Sequence, residues 1–195
     1  MPNWCYNIVG ITGDKEKIEA LRDKLGKPYE IKGETVESPF SFWNIVAPTD
    51  LVAYNEVVGF PGREMNDELG WYGWNIKNWG CKWDAIDATL EELPQIDGRI
   101  HLSYHFQTPW SPPEKIMEWL FQHGKENGFT VYWHYEEEQG WGGERELRDG
   151  ELTEETWDIP SSHAEYVARN QECFCEWAAP EVAFPDCPKP EEANA

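Results

Sequence analysis

The run Trp4–Thr12 alternates in part and is rich in aromatic and β-branched side chains, so it predicts a strand ended by Gly13. Asp14 then caps a predicted helix through Leu25. Its apolar stripe is Ile18, Leu21 and Leu25 with Ala20, and Gly26 stops it before Pro28. The segment Phe40–Ala47 (FSFWNIVA) reads as a buried strand or a strand-like run ended by Pro48. Residues 48–70 carry Pro48, Gly59, Pro61, Gly62 and Gly70 with little periodicity, which predicts a long irregular connection. Residues 85–93 read as a short helix or a turn.

The second half is cleaner. Ile100, Leu102, Tyr104 and Phe106 alternate with His101, Ser103, His105 and Gln107, which predicts a strand with one buried face. Pro112 and Pro113 open a helix, with Ser111 as its cap and Ile116, Trp119, Leu120 and Gly124 on its inner side. Gly128 ends it. Val131, Trp133 and Tyr135 share one face of a strand over Thr130–Glu136. Gly140–Gly143 turns the chain, and Glu144–Leu152 continues as a more exposed strand.

Two strand–helix–strand units in series predict an α+β fold, a ferredoxin-like antiparallel sheet with helices on one face. The expected domain spans residues 1–160, with an irregular insertion at 48–99. A C-terminal helix follows at 161–179, and an acidic, proline-rich tail at 180–195.

Composition narrows the chemistry. The 195 residues are 40% hydrophobic and 14% aromatic, with twelve tryptophans spread from Trp4 to Trp177. Net charge is -21, from 37 acids and 16 bases. Such a charge excludes direct binding of nucleic acid or anionic membrane and favours basic partners. Five cysteines in irregular spacing argue against a disulfide framework. With neither a signal peptide nor an apolar run near 20 residues, they predict reduced thiols in a host cytoplasm.

Two motifs resemble a known family. The opening MPNWCYNIVGITG, with Asn3, Trp4, Cys5 and Asn7, resembles the start of the YubB-like ferredoxin-like proteins carried by phages and plasmids. NWGCKWDA, with Asn78, Trp79, Gly80, Lys82, Trp83 and Asp84, resembles that family's NWG-x-KW[DN] signature. The resemblance covers roughly residues 1–160. It implies a ferredoxin-like fold in a phage or plasmid protein and carries no activity, catalytic residue or cofactor with it.

Candidate chemistry is sparse. Lys82 between Trp79 and Trp83 would set a cation against aromatic faces. The competing reading packs this motif onto the sheet, with Trp79 and Trp83 on one helical face and Gly80 at a tight turn. His101, His105 and His134 share a sheet face. However, His101 and His105 lie ~13 Å apart along one strand, too far to ligate one ion. Cys173 and Cys175, with Cys187 downstream and His163 upstream, lack the second pair of a zinc site. No nucleophile elbow, phosphate loop, dinucleotide fingerprint or zinc-protease helix is present. The expectation is a protein without catalytic residues, cofactor or metal.

Charge distribution is more informative. Residues 1–135 hold 20 acids and 12 bases; residues 136–195 hold 17 acids and 4 bases. Glu136, Glu137, Glu138, Glu144, Glu146, Asp149, Glu151, Glu154, Glu155 and Asp158 fall on a hairpin and its exit, with Trp141 as a candidate apolar anchor. Like charges on adjacent strands destabilise mildly, which points to docking on a basic protein surface as a DNA mimic or inhibitor of host defence; solubility alone is the plainer account. A small-ligand or nucleotide site that leaves room for catalysis is the alternative, using Ser103, His105, Tyr132 and His134 with the 48–84 loop. A virion or scaffold component is a third.

Overall fold

The computed structural model describes residues 2–55, 70–94 and 98–169, together with Pro185 and Cys187. The expected tail at 180–195 lies almost wholly outside these residues, as do Cys173 and Cys175 and the C-terminal helix beyond residue 169.

Strand β1 (Trp4–Asp14) leads into helix α1 (Lys15–Leu25). The Asp14 carboxylate accepts the Glu16 N–H at 3.2 Å, so the sequence-read cap is made. Ile18, Leu21 and Leu25 are buried, whereas Ala20 is exposed. A small hairpin, β2 (Tyr29–Ile31) and β3 (Glu34–Val36), follows, then a 3₁₀ turn at Phe42–Asn44 and helices α2 (Leu51–Asn55) and α3 (Gly70–Trp79). The chain then forms β4 (Ile86–Pro94), β5 (Arg99–Pro109), α4 (Glu114–Asn127), β6 (Thr130–Glu137), β7 (Gly142–Arg148), β8 (Glu151–Trp157) and α5 (His163–Ala168).

Six strands form one antiparallel sheet in the order β4-β5-β1-β6-β7-β8. The first four, with α1 and α4, make the β-α-β-β-α-β arrangement of a ferredoxin-like fold. The β7–β8 hairpin widens it by two strands. Helix α1 packs over β1 and β5, and α4 over β6 and β7. Between helices and sheet lies one core containing Val9, Ile11, Leu102, Tyr104, Phe106, Val131 and Trp133 from the strands and Ile18, Leu25, Ile116 and Leu120 from the helices. Register stacks them: Val9 sits between Tyr104 and Trp133, and Ile11 between Leu102 and Val131.

Four expectations need correction. Phe40–Ala47 is no strand. Phe40 and Phe42 are fully buried, but they enter the core from a bend and from the 3₁₀ turn that follows it, with Phe40 stacked on Phe106 at 5.0 Å. A short apolar run cannot by itself separate these geometries. The second strand of the fold is instead β4, where a helix or turn was expected. Its alternation is hidden because Glu92 faces α1 and pairs with Arg22 at 2.7 Å, and because Asp87 (φ 52°) sits in a bulge. Glu144–Leu152 is not one strand. Asp149 and Gly150, both at positive φ (52° and 83°), fold it into β7 and β8. Finally, α4 begins after Pro113 with no side-chain cap, and Ser111 offers its carbonyl to the Thr108 hydroxyl at 2.8 Å.

Candidate acidic interaction face

The core residues of the strands point to the helix side, and among the described residues the other face of the sheet is left open. Tyr6 and Ile8 on central strand β1 are 47% and 37% exposed there. Alternation then sorts the acids of the hairpin. Glu136 lies on the open face of β6, opposite Gly142; Glu144 faces His134 and Glu146 faces Tyr132. On β8, Glu155 is directly opposite Glu144, and Glu151 is opposite Arg148. Five carboxylates therefore share one face of three adjacent strands. Arg148, at the turn end, pairs with Glu146.

The other acids are placed differently. Glu137 is buried, with its carboxylate accepting the Gln139 N–H at 2.7 Å. Glu154 points to the helix side, where Arg145 bridges it (2.8 Å) to Glu114 of α4 (2.9 Å). Glu138 lies in the β6–β7 turn, its N–H donating to the Trp4 carbonyl at 3.0 Å. Asp149 occupies the left-handed turn position, and Asp158 follows β8, its carbonyl accepting from Arg169 at 2.8 Å. Trp141 is half-buried, edge-on to Tyr135 at 6.3 Å, and packs against the core rather than offering an exposed anchor.

Sequence reasoning placed Tyr132 and His134 on the open face but missed a further aromatic side chain there, Trp157. Trp157 lies across Gly142, where an added Cβ would sit 3.0 Å from its ring, and tilts against His134 at 5.5 Å. The Tyr132 hydroxyl donates to Glu144 at 2.8 Å, and burial, then Glu144, push the Tyr132 pKa up to about 12. The alternation Glu151, Thr153, Glu155, Trp157 was the available signal.

The histidines do not converge. His101 bonds Thr12 of β1 (2.8 Å), His105 bonds Ser103 (3.1 Å), and His134 Nδ1 lies 4.0 Å from Glu144. His163 lies 3.5 Å from Cys187. Among the described residues, no three potential ligands gather closely enough for a metal ion. Among the described residues, clefts lie away from the open face. One, of 460 Å³, lies between α4 and the hairpin, lined by Phe121, Arg145, Leu147 and Leu152. Another, of 390 Å³, lies at the sheet end around Arg99, Gly128 and Asp149.

The motif residues act mainly as a clamp. The Asp84 carboxylate accepts from Ser41 Oγ (2.6 Å), Phe42 N (2.6 Å), Ala85 N (2.7 Å) and Tyr29 Oη (3.3 Å). Burial pushes its pKa up, and the bonds from Ser41, Phe42, Ala85 and Trp43 pull against that. Trp79 is buried and donates to Val46 O at 2.9 Å. Gly80, at φ 84°, turns the chain away from α3, so Trp83 leaves the helical face of Trp79 and meets Trp4 at 6.1 Å. Lys82 accordingly lies over Trp83 and Trp110, not over Trp79. Asn78 donates to Trp74 O (2.8 Å), and the Asn3 carbonyl accepts from Trp110 N (2.9 Å). Buried Asn7 donates to Cys5 O (2.9 Å) and Thr108 (3.0 Å) and accepts from Trp133 Nε1 (3.1 Å). Burial pushes the Cys5 thiol up to about 12.

Five strands of this sheet and the Asn78–Asp84 motif lie within one recognisable segment. Residues 78–173 match the family described as the ferredoxin-like domain in Api92-like protein. The match begins at the first residue of the NWGCKWD motif and includes β4 through β8. Strand β1, at the centre of the sheet, is supplied from outside the matched segment. No curated protein and no solved structure matches the chain. No helix among the described residues is long and apolar enough to cross a membrane.

Proposed function

We propose that this chain is a non-enzymatic accessory protein of a phage or plasmid. Its open acidic face binds a basic protein surface of the host, such as the cationic groove of a nucleic-acid-binding or defence protein. One observation carries the reading: Glu136, Glu144, Glu146, Glu151 and Glu155 share one face of three hydrogen-bonded strands. Strands ~4.8 Å apart, with same-face residues ~6.7 Å apart along each, make a dense and rigid anionic lattice. Placing Glu144 opposite Glu155 costs stability, and a docking role explains why such a pair is kept. A fixed array of this kind steers a cationic partner and occupies the groove where phosphates would bind.

The test pairs affinity purification from host lysate at low and high salt with a variant carrying Glu136→Gln, Glu144→Gln, Glu146→Gln and Glu155→Gln. A basic partner should be held by the native chain at low salt, released at high salt and missed by the variant. With the purified partner, the variant should chiefly slow association. Retention of the same partner by the variant, or binding indifferent to salt, would refute the reading.

A further inference from the structure

A second surface feature stands apart from the acidic face. The Lys82 ammonium lies 4.5 Å from the centroid of Trp83, 4.9 Å from Trp110 and 5.9 Å from Tyr72. Among the described residues, no carboxylate and no hydrogen-bond acceptor holds this ammonium; only the three rings do. Its backbone is fixed independently, with Asn75 donating to Lys82 O at 2.8 Å.

The walls are far better held than their occupant. Trp83 is backed by Trp4, and its ring stands 6.4 Å from Trp110 at an angle of 32°. Trp110 is 46% exposed and sits at φ 65°, a conformation L residues rarely adopt. Its N–H is tied to Asn3 O at 2.9 Å. Tyr72 projects from α3, edge-to-face with Trp71 at 5.8 Å. A strained, exposed tryptophan held open beside two further rings is a preorganised surface, and the lysine filling it hangs on a flexible four-carbon stem.

We propose that Tyr72, Trp83 and Trp110 form a cage for an organic cation, a guanidinium or a quaternary ammonium, and that Lys82 plugs this cage until such a cation displaces it. The rings turn their negative faces inward, which favours a cation and repels an anion. The acidic turn at Glu138 adjoins the cage through Trp4, and the chain's net charge of -21 acts in the same direction. A guanidinium is more weakly hydrated than a primary ammonium, so it gains more than Lys82 by entering.

The full chain, labelled with ¹⁵N, is titrated with tetramethylammonium chloride and separately with acetyl-Gly-Arg-Gly-amide, each against equal sodium chloride. The indole N–H signals of Trp83 and Trp110 are followed. Lys82→Ala should bind at least one cation about 2- to 5-fold more tightly than the native chain, the scale of one cation–ring contact. Trp110→Gly, which suits the left-handed backbone, should abolish binding, while the buried Trp133 signal confirms the fold. A gain for the arginine peptide assigns the cage to a protein side chain, and a gain for tetramethylammonium alone assigns it to a free quaternary ion. If Lys82→Ala binds neither cation more tightly, or Trp110→Gly binds as well as the native chain, the cage is overturned. Glutamine substitutions at Glu144 and Glu155 should leave this titration unchanged, so its failure is separable from failure of the acidic face.

Discussion

Replacing Glu155 by lysine should make the protein more stable while destroying its proposed activity. Glu155 and Glu144 are directly opposite on β8 and β7. Opposed side chains stand ~5.5 Å apart, and at the dielectric constant of water two unit charges at that distance interact by about 0.8 kcal/mol. Glu155→Lys turns this repulsion into attraction, a swing of about 1.5 kcal/mol at low salt. At physiological ionic strength the screening length of ~8 Å cuts it to about half. For a chain of this size, the low-salt gain corresponds to a rise in Tm of about 3–6 °C. The Tyr132–Glu144 hydrogen bond is untouched, so no buried group loses a partner. Urea unfolding followed by tryptophan fluorescence, at 10 and 150 mM salt, measures the effect. An unchanged or lower midpoint at low salt, or a gain equal at both salts, would show that the pair does not repel as its register implies. Loss of partner binding in the stabilised variant would mark the pair as a feature kept for docking at the expense of stability.

Other consequences follow from the clamp and the helix packing. Asp84→Ala leaves the Ser41 hydroxyl and the Phe42 and Ala85 N–H groups without their acceptor. It should cost about 3–5 kcal/mol by urea denaturation, with Asp84→Asn costing clearly less; a loss below about 1 kcal/mol would mean that the carboxylate is no clamp. Gly80→Ala meets both a positive φ and a backbone nitrogen, Glu114 N, 2.7 Å from the new Cβ, whereas Gly33→Ala meets a positive φ in open space. The first should lose more than about 2 kcal/mol and the second about 1 kcal/mol in thermal unfolding, and equal losses would deny the close approach of the motif to α4. Burial, then Lys24, lowers the His123 pKa below 6.5. The folded chain thus binds this proton more weakly than the unfolded chain. Its contribution to stability is present above pH ~6.5 and is lost as pH falls through the lowered folded value. His123→Gln should flatten that part of the stability profile; an NMR titration placing His123 at or above 6.5 would contradict the assignment.

The elements readable in advance were those with an unambiguous period and ordinary caps. β1, β5 and β6 bury every second residue, and α1 carries Asp14 at its start and Gly26 at its end, so each declared itself locally. β4 did not, because Glu92 on its helix side is explained only by Arg22, seventy residues earlier. Phe40–Phe42 did not either, because what bends that segment is the carboxylate of Asp84, forty-two residues beyond Phe42.

The acidic face divides in the same way. Charge and its concentration after residue 135 follow from the sequence alone, because charge is additive and needs no geometry. Which carboxylates act together is a matter of strand register. One position of alternation sends Glu155 to the open face and Glu154 to Arg145, and the alternation of β6 buries Glu137 beside exposed Glu138. Lys82 shows the same limit. Its neighbours in sequence announced a cation beside tryptophan, but Trp110 and Tyr72 were brought to it by the ends of β5 and α3, contacts that only the closed fold creates.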